Sequence, residues 1–183
     1  MTIAASILWR RIDTPGHDAC RLEEGEAGWS LCGAAVFRHA LGPANISYDV
    51  RCDRHWKTLS GRVHGAIGER RIDYFVARRD GAWSLNGEEA PGLAHLVDLD
   101  LSFTPATNLL QVKRVDLPMG QAIHSPVAWF NLETGALTAL RQIYERRGEL
   151  ALYYQAPDVG YEGLLELAPS GFVRRYPGLW EAE

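Results

Sequence analysis

The chain has 183 residues, 46% hydrophobic and 23% charged, a size and balance that suit one globular domain over residues 1–183 with room for a sizeable core. A net charge of −4, with the basic residues scattered rather than clustered, excludes the concentrated positive field that a nucleic-acid partner requires. No run of about 18 apolar residues offers a membrane span, and residues 1–10 lack the basic segment and long apolar core of a secretory signal, so a cytoplasmic location is expected.

In chain order, residues 6–11 are a short apolar run closed by the turn cluster Asp13-Thr14-Pro15-Gly16 and read as a first strand. Residues 17–23 are expected to form a second. Residues 28–39 read as a longer third, where Gly33, Ala34 and Ala35 let another layer come close. After Gly42-Pro43 comes the cleanest alternation in the sequence: Ile46, Tyr48, Val50 and Cys52 on one face, Asn45, Ser47, Asp49 and Arg51 on the other. That is the pattern of a strand with one wet face. Residues 58–67 set Leu59, Val63 and Ile67 in phase, and residues 71–79 return with Ile72, Tyr74 and Val76 as a hairpin partner. Asp80-Gly81 and Asn86-Gly87 are the strongest hairpin signals, because a type I′ turn needs positive φ at both central residues. Cys20, Cys32 and Cys52 are odd in number and lack C-x-x-C spacing, so they are expected to be reduced thiols used as small apolar residues.

Residues 98–110 mix two patterns. Asp98 to Phe103 alternate as a half-buried strand, and Thr104-Pro105 then reads as a helix start, with the Thr104 hydroxyl as cap and Pro105 at the first helical position. Asn108 falls inside this short helix. A buried amide without a partner is costly there, so its side chain is expected to tie the helix to neighbouring strands. Residues 112–117 are expected to be extended, as are residues 121–130 with a bend at Ser125-Pro126. Residues 137–144 read as a strand despite the helical spacing of Leu137, Leu140 and Tyr144, and residues 150–154, 161–167 and 172–176 follow as strands. So many short segments between turn residues predict an antiparallel, mainly β architecture whose sheet curls, since a flat one would expose apolar edges.

Asp98 and Asp100, two apart on one strand, lie about 6.8 Å apart at ~3.4 Å per residue. This falls between the carboxylate separations typical of retaining and inverting glycosidases, so an acid/base pair is open. The favoured reading turns Leu99, Leu101 and Phe103 to the core and both acids to water or local N–H groups. A hard cation held by Asp98, Asp100 and Asn108 matches no known loop spacing, and no G-x-S-x-G elbow is present. No catalytic residue, metal or cofactor is assigned. Most of the six tryptophans, Trp9, Trp29, Trp56, Trp83, Trp129 and Trp180, are expected in the core or a dimer interface, though an aromatic face can also stack on a sugar.

Several stretches resemble one family across nearly the whole chain. They are Trp9-Arg10 with Asp13-x-Pro15-Gly16; Ser47-Tyr48-Asp49-Val50 with Trp56-x-Thr58; Gly81-x-Trp83-x-x-Asn86-Gly87; Asp98-x-Asp100-Leu101 with Thr104-Pro105-x-Thr107-Asn108; Gln142-x-Tyr144; and Tyr176-Pro177-Gly178-Leu179-Trp180. Together they resemble the putative glycolipid-binding family, formerly a domain of unknown function. The Thr-Pro-x-Thr-Asn and Tyr-Pro-Gly-Leu-Trp motifs are the most specific. The resemblance implies a many-stranded antiparallel spiral β-roll, an unclosed barrel wrapped around one short central helix, which assembles as a homodimer and compares in shape with periplasmic lipoprotein carriers. Gln111 stands where that pattern has proline, and Lys113-Arg114 where it has an arginine pair.

The reading that follows is a non-enzymatic binding protein for a small amphipathic ligand, a glycolipid or lipid. Trp56, Asp98, Asp100 and Arg114 are its candidate orienting groups, Thr104, Pro105 and Asn108 its structural junction, and apolar burial its main source of affinity. A carboxylate-dependent hydrolase using Asp98 and Asp100, or a dimeric interaction module, are the alternatives.

Overall fold

Period-two burial organises the first half of the computed structural model, which describes residues 2–183. Strands β1 (Thr2–Arg11), β2 (Gly16–Glu24), β3 (Gly28–His39), β4 (Gly42–Asp53), β5 (Thr58–Ile67) and β6 (Arg70–Arg79) form a continuous antiparallel meander. Ile46, Tyr48, Val50 and Cys52 are all buried along β4, as their alternation predicts. Asp80 and Gly81 have φ of 51° and 87°, and Asn86 and Gly87 φ of 52° and 87°, so both expected turns take positive φ at both central residues. They lead into β7 (Ala82–Leu85) and the two-residue β8 (Glu88–Glu89).

Strand β5 breaks phase. Arg51 pairs with Ser60 but Cys52 pairs with Thr58, which leaves Leu59 as the extra residue of a bulge. Leu59, expected inside, is therefore 44% exposed, while Thr58 turns inward. There its Oγ1 accepts the Leu99 N–H at 3.0 Å. A bulge shifts the face of every residue beyond it, and periodicity alone gives no sign of the insertion.

The second half extends the same sheet through β10 (Ala122–His124), β13 (Ile143–Gly148), β14 (Ala151–Ala156), β15 (Tyr161–Leu167), β16 (Val173–Tyr176) and β17 (Trp180–Ala182). Because β17 pairs with β1, the two halves join into one open sheet of 14 strands that runs from β10 to β8. Both edge strands are very short, which limits edge-to-edge pairing. A second sheet of three strands, in the order β12 (Ala136–Leu140), β11 (Val127–Asn131), β9 (Leu99–Leu101), completes the fold. Here the antiparallel expectation needs correction: β9 and β11 are parallel, with Leu99 opposite Ala128. A parallel pair needs a long crossover, and α1 (Asn108–Arg114) and β10 lie within it.

The helix is the axle of the roll. Leu109 and Leu110 are buried in the main core with Leu31, Ile46, Val63, Trp83 and Phe130, while Val112 and Val115 pack on a second cluster built from Tyr144, Leu152, Leu165 and Val173. Seven residues are too few for a helix to persist alone. Burial of each leucine, worth about 2 kcal/mol, holds it in place.

Its start lies later than the sequence suggests. Thr107 occupies the cap position without a side-chain cap bond, and residues 104–107 form a tighter lead-in in which Asn108 N–H donates to Pro105 O at 3.3 Å. Thr104 Oγ1 caps that lead-in by accepting Ala106 N–H at 3.0 Å. Residues 112–114, expected extended, are the last turn of α1. The extended stretches at 121–130 and 137–144 each divide between the two sheets, because the chain changes sheet at Ser125-Pro126 and again at Arg141-Gln142.

The small-residue run in β3 has a defined use. Gly33 lies opposite Tyr48, and a Cβ at position 33 would stand 2.2 Å from the Tyr48 ring. Gly33→Ala is expected to lower stability by about 1–3 kcal/mol, read as a lower urea midpoint at unchanged m-value. Wild-type stability in this variant would show that the ring is free to move.

Candidate functional site

Three carboxylates sit inside the roll around the junction between β9 and α1. Asp18, on β2, shares the phase of buried Cys20 and Leu22 and is fully buried itself. The Tyr48 hydroxyl lies 3.1 and 3.0 Å from its two oxygens, and the Thr104 hydroxyl donates to it as well. Burial pushes this carboxyl up to about 6, against the pull of the two hydroxyls. Sequence reasoning passed over Asp18, although an acid in phase with Cys20 and Leu22 was its visible signal.

Asp98 is fully buried, and Arg114 at the end of α1 forks onto it, Nε to Oδ1 at 3.0 Å and Nη2 to Oδ2 at 2.5 Å. Burial raises the Asp98 carboxyl above its ordinary value even against the adjacent guanidinium. Asp100 Oδ2 accepts Gln142 Nε2 at 2.7 Å. Burial raises Asp100 to about 6, the Gln142 bond lowers it in part, and the charge of Asp98 adds to the rise. The expectation that both acids meet water or local N–H groups is thus corrected. Every residue of β9 is buried, so an acid on either of its faces must find a side chain from elsewhere in the fold.

The network continues into the helix. Gln142 Oε1 accepts Gln111 Nε2 at 2.9 Å and the Tyr144 hydroxyl at 3.3 Å, and Tyr144 accepts Asn108 Nδ2 at 2.9 Å. Asn108 thereby links α1 to β13. Gln111, at the position where the family pattern has proline, joins the same network.

A cleft of about 320 Å³ opens beside this junction. Asp100, Thr104, Pro105 and Asn108 line it together with Trp129, which lies beside Asp100 on the neighbouring strand, and Tyr154, Tyr161, Tyr176 and Trp180. The rings of Tyr154, Tyr161 and Tyr176 stand 4.9 to 5.9 Å apart and make a continuous aromatic wall. The turn at Tyr176-Pro177-Gly178-Leu179, closed by Leu179 N–H to Tyr176 O at 3.0 Å, sets Tyr176 opposite Trp180 across β16 and β17. The Thr-Pro-x-Thr-Asn and Tyr-Pro-Gly-Leu-Trp motifs, distant in sequence, thus both contribute to the cleft. Trp56 lies outside it, stacked on Trp29 at 4.5 Å between ring centroids, and Arg114 and Asp98 do not line it. A narrower crevice lined by Gln111, Val112 and Leu117 has about 10 Å³, room for no more than a water. Among the described residues no three His, Cys, Asp or Glu side chains converge as a metal site.

The family model described as putative glycolipid-binding matches residues 6–182. A crystal structure of a DUF1089 family protein from Pseudomonas aeruginosa is similar in fold, with a TM-score of 0.80 at 20% identity over 99% of this chain and 95% of that one. No curated protein matches the chain.

Two stability effects follow from the carboxylates. Arg114→Ala strands a buried charge and is expected to cost about 3 kcal/mol. Asp98→Ala is expected to cost less, since it leaves a guanidinium that already reaches solvent; equal losses in denaturant titrations would contradict this asymmetry. For Asp18 the folded pKa of about 6 lies above that of the unfolded chain, so between these values the folded state binds more protons and its stability falls as pH rises. Relative to Asp18→Asn, the wild type is expected to gain about 1–2 kcal/mol on going from pH 7.5 to pH 5. A difference between the two proteins that does not change with pH would refute this.

Proposed function

The chain belongs to the putative glycolipid-binding family, and from that premise we propose that it binds an amphipathic ligand, a glycolipid, in the cleft beside α1. The observation that carries the reading is the cleft itself, lined both by polar groups of the strand-to-helix junction and by aromatic rings. Aromatic faces suit the C–H surface of a sugar, and side-chain oxygens suit its hydroxyls.

At about 320 Å³ the cleft lies near the lower end of ligand pockets, which run from about 300 to 1,000 Å³. It has room for a head group and the methylenes next to it. The rest of an acyl chain would run over the rim, where Val159 is half exposed and Leu179 also lines the opening. Each buried methylene would contribute about 0.8 kcal/mol.

Binding is favoured over hydrolysis because the two acids do not act on one space. Asp98 is held by Arg114 and lies off the cleft, which leaves Asp100 as its one carboxylate. A general acid/base pair needs two. Assembly as a homodimer and a cytoplasmic location belong to the same proposal. Exposed Leu8 and Val36 are side chains of the kind a dimer interface covers, and no described helix is long and apolar enough to cross a membrane.

Native mass spectrometry of gently purified protein tests the reading. The expected result is an adduct of lipid mass, or uptake of n-octyl glucoside, that is lost in Trp129→Ala and in Val159→Trp while both variants keep the wild-type melting temperature. Protein that carries no lipid and takes up no glucoside overturns the proposal, as does an adduct that survives both substitutions.

A further inference from the structure

Resting on the cleft as the binding site, we infer that it selects head groups that donate hydrogen bonds, through hydroxyl or ammonium, and turns away anionic amphiphiles, with Asp100 as the selecting residue. The argument is one of charge and of donors against acceptors. Asp100 is the one charged residue on the lining; no lysine, arginine or histidine stands there. Arg114, at the end of α1, is committed to Asp98. Asp100 is only 8% exposed, and its single side-chain partner among the described residues is Gln142, on Oδ2. Its Oδ1 therefore offers an acceptor without a protein donor, inside the cleft that the residue lines.

The donors around it point elsewhere. The Thr104 hydroxyl donates to Asp18, Asn108 Nδ2 to Tyr144, and the Tyr161 hydroxyl to Pro177 O at 2.9 Å. With its amide nitrogen so engaged, Asn108 adds a second unpaired acceptor in Oδ1. The donors left over are neutral: the hydroxyls of Ser102, Tyr154 and Tyr176 and the indole N–H groups of Trp129 and Trp180. They do not offset a sulfate or phosphate brought beside a carboxylate, which like-charge repulsion in a poorly hydrated site opposes strongly. A hydroxyl can bond to each free oxygen while its ring lies against the tyrosine wall, and an ammonium gains from the same carboxylate and the same rings. The shared chemistry is a donor-rich head group without negative charge.

Three eight-carbon amphiphiles distinguish the outcomes: n-octyl β-D-glucoside, n-octylammonium chloride and sodium n-octyl sulfate, each titrated calorimetrically into the full chain below its micelle concentration. The glucoside, the ammonium or both are expected to bind the wild type at least roughly tenfold more tightly than the sulfate, and the tighter of the two identifies hydroxyl or amine as the preferred donor. Asp100→Asn keeps an acceptor for Gln142 and removes the charge, so it is expected to bring the three affinities to within about threefold. Sulfate binding as tight as the others in the wild type overturns the inference and leaves the cleft reading standing. Selectivity unchanged in folded Asp100→Asn removes Asp100 from the role. Failure of all three to bind overturns the cleft reading and the inference together. If Asp100→Asn does not fold, the wild-type ranking decides by itself.

Discussion

A seven-residue helix cannot hold itself, and the rest of the structure depends on what holds α1. Part of the answer is burial between two apolar clusters, with Leu109 and Leu110 on one side and Val112 and Val115 on the other. Burial alone is not directional, however, and would let so short a helix turn about its axis. Direction comes from polar side chains. Asn108 bonds Tyr144, Gln111 bonds Gln142, and Arg114 bonds Asp98, so three residues of α1 reach two separate segments, the entry to β13 and the residue before β9. These bonds fix the rotation of the helix, and with it the side of the junction that faces the cleft.

The same ties explain why three acids can lie inside a small β protein. A buried carboxylate is costly unless it is paired or hydrogen-bonded, and each of the three finds a different solution. Asp98 takes a guanidinium, Asp18 two hydroxyls, and Asp100 one amide. Asp18 and Thr104 join the large sheet to the junction ahead of the helix, while Asp100 and Gln142 join the small sheet to the second half of the large one. The layers of the roll are thus pinned by specific polar contacts as well as by apolar packing. Asp100 is the least compensated of the three, and it is the one that lines the cleft.

Topology places the cleft where these layers meet. The chain ends come together as β1 and β17, which carries Trp180 to the junction. The parallel pairing of β9 with β11 brings the start of the crossover beside Trp129. Tyr154 and Tyr161, on strands joined by the short 3-10 turn Pro157–Val159, complete the wall. Segments from four parts of the chain therefore contribute to one space of modest size, and it exists only because the sheet curls without closing.

What the sequence by itself determined is local. Strand patterns bounded by turn residues placed β3, β5 and β15 to the residue, the Asp-Gly and Asn-Gly pairs marked the two turns with positive φ, and the need of Asn108 for a partner was legible because an amide in a short apolar helix is costly unpaired. Family motifs led to the unclosed roll and its central helix. Tertiary structure alone decided the environment of the acids and the position of the cleft. Asp98 looks like a solvent-facing strand acid until Arg114 folds back on it, and Asp100 until Gln142, 42 positions away, reaches it. Leu59 looks like core until a bulge turns it out, and Trp56 looks like a site residue until it stacks on Trp29, away from the cleft. Burial and hydrogen-bond partners are set by residues remote in sequence, whereas period and turn chemistry are set by neighbours, and that difference separates what could be read along the chain from what the fold alone supplied.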